Sequence, residues 1–480
     1  MENKSKLLFR FYIPIALLLL AYTTYRACVL SLTIDEAFTY VHFVPQSFLD
    51  IVLYRVNVTA NNHILNTLLI KLFTSFFGNS ELIIRLPSLL GHVTFLIASY
   101  LIVKKIKSPA IALLGFILLN FNPVLLDFFS LARGYAMASA FTLMSLNFVL
   151  DYYLLKEKRV LILSFLFAFL AVLSNFSTLI FYSSLLLIFA FFFLFELKTS
   201  ATAKELFKKY VPILLFTLLL AITIAVPIWK LVKDNQLYFG GENGFWIDTV
   251  CSLTDCTAFF KSYQTPFTLF LQKLIIVTLI CSIILLVVTF LRKKENHLLL
   301  LTFLLLMLPC TISVLQHILI GSMFMENRMG LFLISLFVIH LLFLADSFNF
   351  SVAVKNITTS VIALLSITML CHTVYCADIT TSLLWKYDCQ SKDLVNDIEA
   401  IHDKTNKDIN LGVYVFYEPA VSYYKIRRNL NWLTITNTFT SHIPCNYYYI
   451  ASPEQENDSI GIQHKTILKT YKISGASLVQ

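Results

Sequence analysis

Apolar stretches of about 20 residues recur along this chain, and they constrain its fold more than any other feature. A helix needs roughly 20 mostly apolar residues to cross the hydrocarbon core of a bilayer. We therefore expect an all-α polytopic membrane protein with about 11 transmembrane helices. The predicted spans are residues 8–30, 83–103, 108–126, 134–155, 160–174, 178–195, 211–230, 267–291, 298–320, 329–345 and 357–377.

The composition excludes a soluble enzyme. The chain is 58% hydrophobic and only 14% charged, whereas soluble domains are about 25% charged. Its apolar content is too high for a disordered chain, and its 9 Cys in 480 residues are too sparse for a disulfide scaffold. The net charge of +9 comes from basic clusters between apolar runs, which indicates membrane topology and no nucleic-acid partner.

The basic clusters predict the orientation, because loops rich in Lys and Arg stay in the cytoplasm. A cytoplasmic N-terminus puts six clusters on one side: Lys4, Lys6 and Arg10; Lys104, Lys105 and Lys107; Lys156, Lys158 and Arg159; residues 198–209; residues 292–294; and Lys355. The other face then holds loop 31–82, short loops around Asp127 and Arg328, loop 233–266, and the tail from residue 378. We expect the chemistry at that outer face, in a membrane that is the bacterial plasma membrane.

Two domains are predicted, a transmembrane catalytic domain over residues 1–377 and a soluble outer domain over 378–480. Charge and turn residues return in the tail. Their periodicity predicts helices at 392–402 and 420–427, with strands at 411–417, 432–436, 447–451 and 466–472. This small α/β domain is expected to stabilise the membrane part or contact the acceptor, in preference to an independent catalytic role.

Two adjacent carboxylates, Asp35 and Glu36, follow the first span directly. Carboxylates are costly near lipid, which favours a functional reason for their position. One of them suits general-base catalysis on an acceptor hydroxyl. The alternative is an acidic turn at the N-terminus of a helix, where Asp and Glu are common.

Further along loop 31–82, Leu65, Leu68, Leu69, Leu72 and Phe73 recur at helical spacing after Asn62 and His63. This pattern predicts an amphipathic helix on the bilayer surface, ending at Gly78.

These features together resemble the GT-C superfamily of polyprenyl-phosphate-sugar glycosyltransferases, in the branch of protein O-mannosyltransferases and aminoarabinose transferases known as glycosyltransferase family 39. The residues that carry the resemblance are Asp35 with Glu36, Asn62 with His63, the run GNSELIIRLPSLLG, and the run LLDFFSLARGYAMASA. The likeness covers about residues 1–150, and further along it extends mainly to topology and the outer tail.

The resemblance implies an enzyme that moves a sugar from a polyprenyl-phosphate donor to an acceptor. Asp35 matches the family's base, and the sequence leaves open whether Asp35 or Glu36 takes the proton. Asn62 and His63 would position acceptor or donor, although Ile64 replaces the family's proline.

A leaving lipid phosphate gains charge in the transition state, so positive groups are expected beside it. Arg133, Arg328 and Arg85 are the candidates, and Tyr135 completes the family's Ala-Arg-x-Tyr turn. Interfacial snorkelling is the alternative for each arginine. Asp127 is interpreted as a second acid of the site or as the salt partner of Arg133.

No cofactor is required by this chemistry. The 10 His are scattered without zinc-ligand spacing, and a need for a divalent metal stays open. Cys251 with Cys256, and Cys389 with Cys445, would form disulfides in an oxidising compartment. The aromatic loop 233–266 either closes over a sugar or belongs to the membrane's aromatic belt.

The leading hypothesis is an inverting glycosyltransferase whose acceptor is a lipid, a glycan or a protein. A transporter or flippase is the first alternative, but the halves do not repeat and the spans lack central charges. The second is a polymerase of diphosphate-linked saccharides, against which the acidic pair after the first span argues.

Overall fold

The computed structural model describes residues 2–199, 202–294, 296–348, 351–437, 444–451 and 466–480. It confirms the predicted class, a helical membrane protein with a small C-terminal sheet. The helices of the first half are α1 Glu2–Val29, α2 Ile34–Phe38, α3 Phe48–Val52, α4 Ile64–Phe77, α5 Glu81–Val103, α6 Pro109–Asn120, α7 Pro123–Phe129, α8 Gly134–Leu155, α9 Lys158–Ser174 and α10 Leu179–Thr199. The others are α11 Ala203–Lys233, α12 Ser252–Thr257, α13 Gln264–Leu291, α14 His297–Ile320, α15 Leu331–Ser347, α16 Val352–Cys376, α17 Ser391–Thr405 and α18 Glu418–Arg428.

Every predicted span falls on a helix, but fewer than eleven have spanning length. Within the described ranges, nine helices are long and apolar enough to cross a membrane, or ten if one bent pair counts as a single span. The helix that falls short is α9, whose 17 residues rise only about 25 Å. The predicted break after it is present, because Asn175 is extended and its side chain accepts from the Ser177 amide at 2.8 Å.

The bent pair is α6 with α7, which replaces the single span predicted at 108–126. The two helices meet at an angle of 58°. Asn122 caps α7 by accepting from the amides of Val124 and Leu125, and Pro123 occupies the first turn, where proline fits best. The bend brings the turn after α7 beneath loop 31–82, where the Ala132 carbonyl accepts from Asn66 at 3.0 Å.

The C-terminal sheet has five strands in the order β2-β1-β3-β5-β4. Its strands are β1 Ile409–Val413, β2 Leu433–Asn437, β3 Tyr447–Ile450, β4 Ile467–Thr470 and β5 Ser477–Val479. The first three are mutually parallel, and β5 runs antiparallel between β3 and β4. The sequence predicted four of these strands and missed β5, which has only three residues and therefore no readable alternation.

The C-terminal segment packs on the membrane part through charged contacts. Glu81, at the start of α5, is 3% exposed and binds Lys392 at 3.0 Å as well as Arg427. Tyr423 donates to the Asn79 carbonyl at 2.8 Å. The tail is thus bonded to the loop that leads into the second span.

Removal of the Glu81 carboxylate should detach this contact. We expect Glu81→Ala to lower the free energy of unfolding by about 3 kcal/mol, because two cations then lose a buried partner. Asp50→Ala is the control, since its ion pair with Arg55 is exposed and worth less than about 1 kcal/mol. Denaturant titration of the detergent-solubilised protein measures both, and equal losses would contradict the assignment.

Candidate active site

The turn that carries the acidic pair is a capped helix end. Thr33 precedes α2 in an extended conformation, and its hydroxyl accepts from the Glu36 amide at 3.4 Å. In return the Glu36 carboxylate accepts from the Thr33 amide at 2.9 Å. This reciprocal capping box begins α2 and holds the Glu36 carboxylate against the start of its own helix.

Glu36 points inward and pairs with Arg85. The guanidinium of Arg85 donates to both carboxylate oxygens, at 2.8 and 2.7 Å, and neither side chain is exposed. The Ala132 amide donates to the same carboxylate at 2.5 Å. Burial alone would raise the pKa of Glu36, but the charge of Arg85 and these hydrogen bonds outweigh it and lower the pKa.

Arg85 has no donor left for a phosphate. Its remaining N–H groups bind the carbonyls of Ala27, Leu30 and Ser31 at 2.8–3.1 Å, which occupies all five donors of a guanidinium. These carbonyls lie at and just beyond the C-terminal end of α1, where backbone acceptors lack helical partners. The geometry therefore gives Arg85 a structural position, in place of the predicted contact with the donor.

Asp35 points the other way and is partly open to solvent. Its side chain is 23% exposed and lies 3.3 Å from the Arg133 guanidinium. Arg133 also donates to the Asn61 side chain, and Asn61 in turn donates to the Asp35 carbonyl at 3.3 Å. Of the two adjacent acids, only Asp35 is accessible to solvent.

Tyr135 lies at the centre of the basic groups. The guanidinium carbons of Arg133 and Arg328 are 5.7 and 5.8 Å from its ring centre. Arg328 also donates to the Tyr135 hydroxyl at 3.2 Å. The turn before α8 and the loop before α15, nearly 200 residues apart, therefore place two cations beside one ring.

Arg328 is enclosed by aromatic rings and forms no ion pair with any described residue. Its guanidinium lies 5.4 Å from the ring centres of Phe239 and Trp385. Gly241 and Phe324 form a backbone bridge, with hydrogen bonds of 3.1 and 2.9 Å, that holds loop 233–266 against the loop carrying Arg328. Loop 233–266 thus contributes Phe239 to this cluster.

His63 faces the same cluster. Its ring lies edge-on to Tyr135 at 4.9 Å, and no described residue makes a hydrogen bond to its Nε2. Burial and the charges of Arg133 and Arg328 hold the pKa of His63 well below its usual range. A neutral imidazole next to the two arginines is suited to orient a hydroxyl.

The other two predicted site residues lie apart from this cluster. The Asn62 side chain binds the Ile51 carbonyl at 3.0 Å and the Thr67 hydroxyl at 3.0 Å, so it holds the loop. Asp127 pairs with Arg26, where the sequence suggested Arg133 as the partner. Both side chains of this ion pair are buried, and Asp127 also accepts from the Leu383 amide at 3.0 Å.

Asn61, Arg26 and Trp385 were missed by the sequence interpretation. Asn61 directly precedes the predicted Asn62, and only the turn geometry distinguishes the two. Arg26 is a charged residue inside an apolar span, which is itself a signal of function or pairing. Trp385 lies far along the chain from every other site residue, and the sequence contains no signal for its position.

The described residues bring together no group of three or more His, Cys, Asp or Glu side chains that could hold a metal ion. None of the nine cysteines, all of which lie in described ranges, is joined in a disulfide. Cys256 instead donates to the side chain of Asn327, the residue before Arg328, at 3.1 Å.

The two adjacent acids should respond differently to mutation. We expect Glu36→Gln to lower the free energy of unfolding at pH 7 by about 3–5 kcal/mol, because Arg85 is left buried without a counter-charge. Asp35→Asn is the matched comparison and should cost clearly less than Glu36→Gln, since its carboxylate is partly exposed and Arg133 keeps its hydrogen bond to Asn61.

The same pair predicts a pH dependence. The folded-state pKa of Glu36 is lowered, so its contribution is present above the unfolded value of about 4.3 and is lost as the pH falls through the folded value. Denaturant titrations at pH 3–7 should show the gap between wild type and Glu36→Gln closing below about pH 4. A constant gap would contradict the ion-pair assignment.

Comparisons with known proteins agree with this architecture. Residues 63–229 match the family model described as dolichyl-phosphate-mannose-protein mannosyltransferase. A search of curated proteins finds no significant match. The crystal structure of ArnT from Cupriavidus metallidurans in the apo state aligns over 98% of this chain and 97% of its own, with 8% identity and a TM-score of 0.57.

Two further crystal structures are similar. ArnT from the same organism bound to undecaprenyl phosphate aligns over 98% of this chain and 97% of its own, with 10% identity and a TM-score of 0.51. The Archaeoglobus fulgidus oligosaccharyltransferase in the apo form aligns over 94% of this chain and 71% of its own, with 11% identity and a TM-score of 0.49. This protein therefore has the fold of the GT-C superfamily of membrane glycosyltransferases, as the resemblance of its first 150 residues predicted.

Proposed function

We propose that this protein transfers a sugar from a polyprenyl-phosphate donor to an acceptor hydroxyl at the outer face of the membrane. The acceptor oxygen bonds to the anomeric carbon of the sugar, and the bond from that carbon to the phosphate oxygen breaks. Asp35 takes the hydroxyl proton, and polyprenyl phosphate leaves with one additional negative charge. Attack from the face opposite the phosphate inverts the anomeric configuration.

The observation that carries this proposal is Arg328. It is a cation that has no described carboxylate partner and is surrounded by the rings of Tyr135, Phe239 and Trp385. Arg328 is half-buried, and the carboxylate that acts on its charge, Asp35, forms no ion pair with it. A guanidinium in such a partly desolvated aromatic site is suited to an anionic ligand. A guanidinium offers a phosphate paired hydrogen bonds and stabilises the charge that develops on it.

Arg133 connects the phosphate subsite to the base. It shares the Tyr135 ring with Arg328 and contacts Asp35 at 3.3 Å. The anomeric carbon of a donor whose phosphate lies between the two arginines would then be near the exposed carboxylate. Glu36 is excluded from this role by its complete burial and its pairing with Arg85.

The similarity to known proteins supports the donor class. One ArnT structure of the same fold contains undecaprenyl phosphate. The matched family model is named for an enzyme that uses a sugar on a polyprenyl phosphate. The acceptor is proposed only as a lipid, a glycan or a protein that presents a hydroxyl.

The first test is transfer from labelled donors. Wild type in liposomes should move label from one of a panel of polyprenyl-phosphate sugars to an acceptor in cell lysate, and Asp35→Asn should lose at least about 100-fold in rate, since general bases contribute about 10²–10⁴. Asp50→Asn, an exposed acid of the same loop, is the control and should keep wild-type rates.

Two outcomes would contradict the proposal. An active wild type with an equally active Asp35→Asn would remove Asp35 as the base and leave the reaction class intact. Absence of transfer from every donor, in a protein shown to be folded, would favour a lipid transporter or a polymerase of diphosphate-linked saccharides.

A second test addresses the phosphate subsite. Arg328→Met should reduce kcat/KM for the donor by about 10²–10³, in the range found when one charge-stabilising donor is removed. Arg328→Lys should recover only part of this loss, because an ammonium cannot make the paired hydrogen bonds of a guanidinium. Arg55→Met, at an exposed site, is the control. Unchanged donor kinetics in Arg328→Met would overturn the assignment.

A further inference from the structure

The segment that delivers Asp35 is held by the C-terminal tail as well as by the membrane helices. Residues 30–33 connect α1 to α2. The Ser31 hydroxyl accepts from the Lys392 amide at 3.1 Å, and the Leu32 amide donates to the Tyr424 hydroxyl at 3.1 Å. Two residues of the tail thus bind the backbone or side chains just before the acidic pair.

The shortest of these contacts involves Asp388. One of its carboxylate oxygens, Oδ2, accepts from the Ile34 amide at 2.5 Å, and Ile34 is the first residue of α2. Asp388 is fully buried, and no described residue makes a hydrogen bond to its other oxygen, Oδ1. Burying an acid next to two other carboxylates costs stability. Such a costly position favours a functional reason for the residue.

We propose that Asp388 is a positioning residue of the transfer reaction, which sets the orientation of Asp35 by binding the first amide of α2. This inference rests on the proposed function. The next residue after Ile34 is Asp35, so a hydrogen bond to the Ile34 amide fixes the helix turn from which the base projects. The tail would then be part of the catalytic unit and not an accessory that can be removed.

The electrostatic surroundings of Asp388 favour its protonation. Burial raises its pKa well above the usual range, and the charges of Glu36 and Asp35 add to this, although the Ile34 amide opposes it. Asn is its closest replacement, because it has the same shape and keeps an oxygen that can accept from the Ile34 amide. The titratable groups that face it are Asp35, Glu36, Tyr387, Cys389 and Tyr449.

The first experiment compares Asp388→Leu with Asp388→Asn in the transfer assay with the full-length protein. Leu has the same branching as Asp, with larger end groups, but cannot accept a hydrogen bond. We therefore expect kcat to fall about 10- to 100-fold while the KM of donor and acceptor changes less than about threefold, because a small misplacement of a catalytic group mainly affects the chemical step. Asn still accepts from the Ile34 amide and should remain within about threefold of wild type.

A second variant removes the other partner of the same bond. Ile34→Pro deletes the amide proton at the first helical position, which tolerates proline, and Thr33 is already extended as a residue before proline must be. It should reproduce the kcat loss of Asp388→Leu. The two losses should not multiply in the double variant, since both delete one interaction. Ile34→Val keeps the amide and is its control.

Asp397→Leu controls for damage to the tail. Asp397 binds Lys469 at 2.6 Å and Tyr471 at 2.7 Å within the C-terminal tail, and neither partner belongs to α2. It should keep wild-type kcat even where its thermal stability falls. If Asp397→Leu lost as much kcat as Asp388→Leu, the kcat loss would be explained by a less stable tail, and the proposal would be overturned.

Three other results would also overturn it: wild-type kcat in Asp388→Leu, equal losses in folded Asp388→Asn and Asp388→Leu, or losses that multiply in the double variant. If Asp388→Leu does not fold, Ile34→Pro against Ile34→Val decides. A wild type that transfers no sugar would contradict the proposed function itself, whereas an active wild type with an equally active Asp388→Leu contradicts only the positioning role.

Discussion

The buried ion pair between Glu36 and Arg85 is the interaction on which the rest of this site depends. It joins the loop after α1 to α5, and through the Ala132 amide it also joins the turn before α8. Three separate helices of the membrane part therefore meet at one carboxylate. A pair of this kind contributes little net stability over an apolar contact, but it tolerates few alternative arrangements because each lost partner leaves an unpaired charge. Here the pair fixes the direction of the Glu36 side chain. Glu36 points inward, and the adjacent Asp35 faces the open side.

The sequence predicted most of the fold because membrane helices are readable from local composition. Length and apolarity identified the positions of all the spans, and the amphipathic pattern identified α4. The sequence-based prediction failed where the backbone geometry depends on more than local composition. The bend at Asn122 and Pro123 was read as one span, and α9 was counted although its 17 residues are short. In the tail, β5 was missed because three residues carry no periodicity.

The sequence predicted which residues of the candidate site lie near one face. It did not predict which contacts each of these residues makes. The site residues do lie together, because each belongs to a loop, or to the end of a helix next to a loop, at the same end of the helices: Arg133, Arg328, Tyr135, His63 and Asp35. On the sequence alone, Arg85 and Glu36 were as suitable for the site as the other candidates. Only the three-dimensional contacts show that the hydrogen-bonding groups of both side chains are already used. For Asp127 the sequence could not identify Arg26, one hundred residues earlier, as its partner.

The tail changes the view of what such an enzyme needs in order to work. Its contacts include the loop entering α5 and the residues that lead into α2. Asp127, paired with Arg26, also accepts from the Leu383 amide and so anchors the chain just before Trp385, which stacks on Arg328. A segment tethered beside Asp35 on one side and beside Arg328 on the other sets the distance between these two residues. In the proposed reaction, proton transfer and leaving-group stabilisation would act on one donor at the same time, so a fixed separation of the two groups would be a requirement of the chemistry.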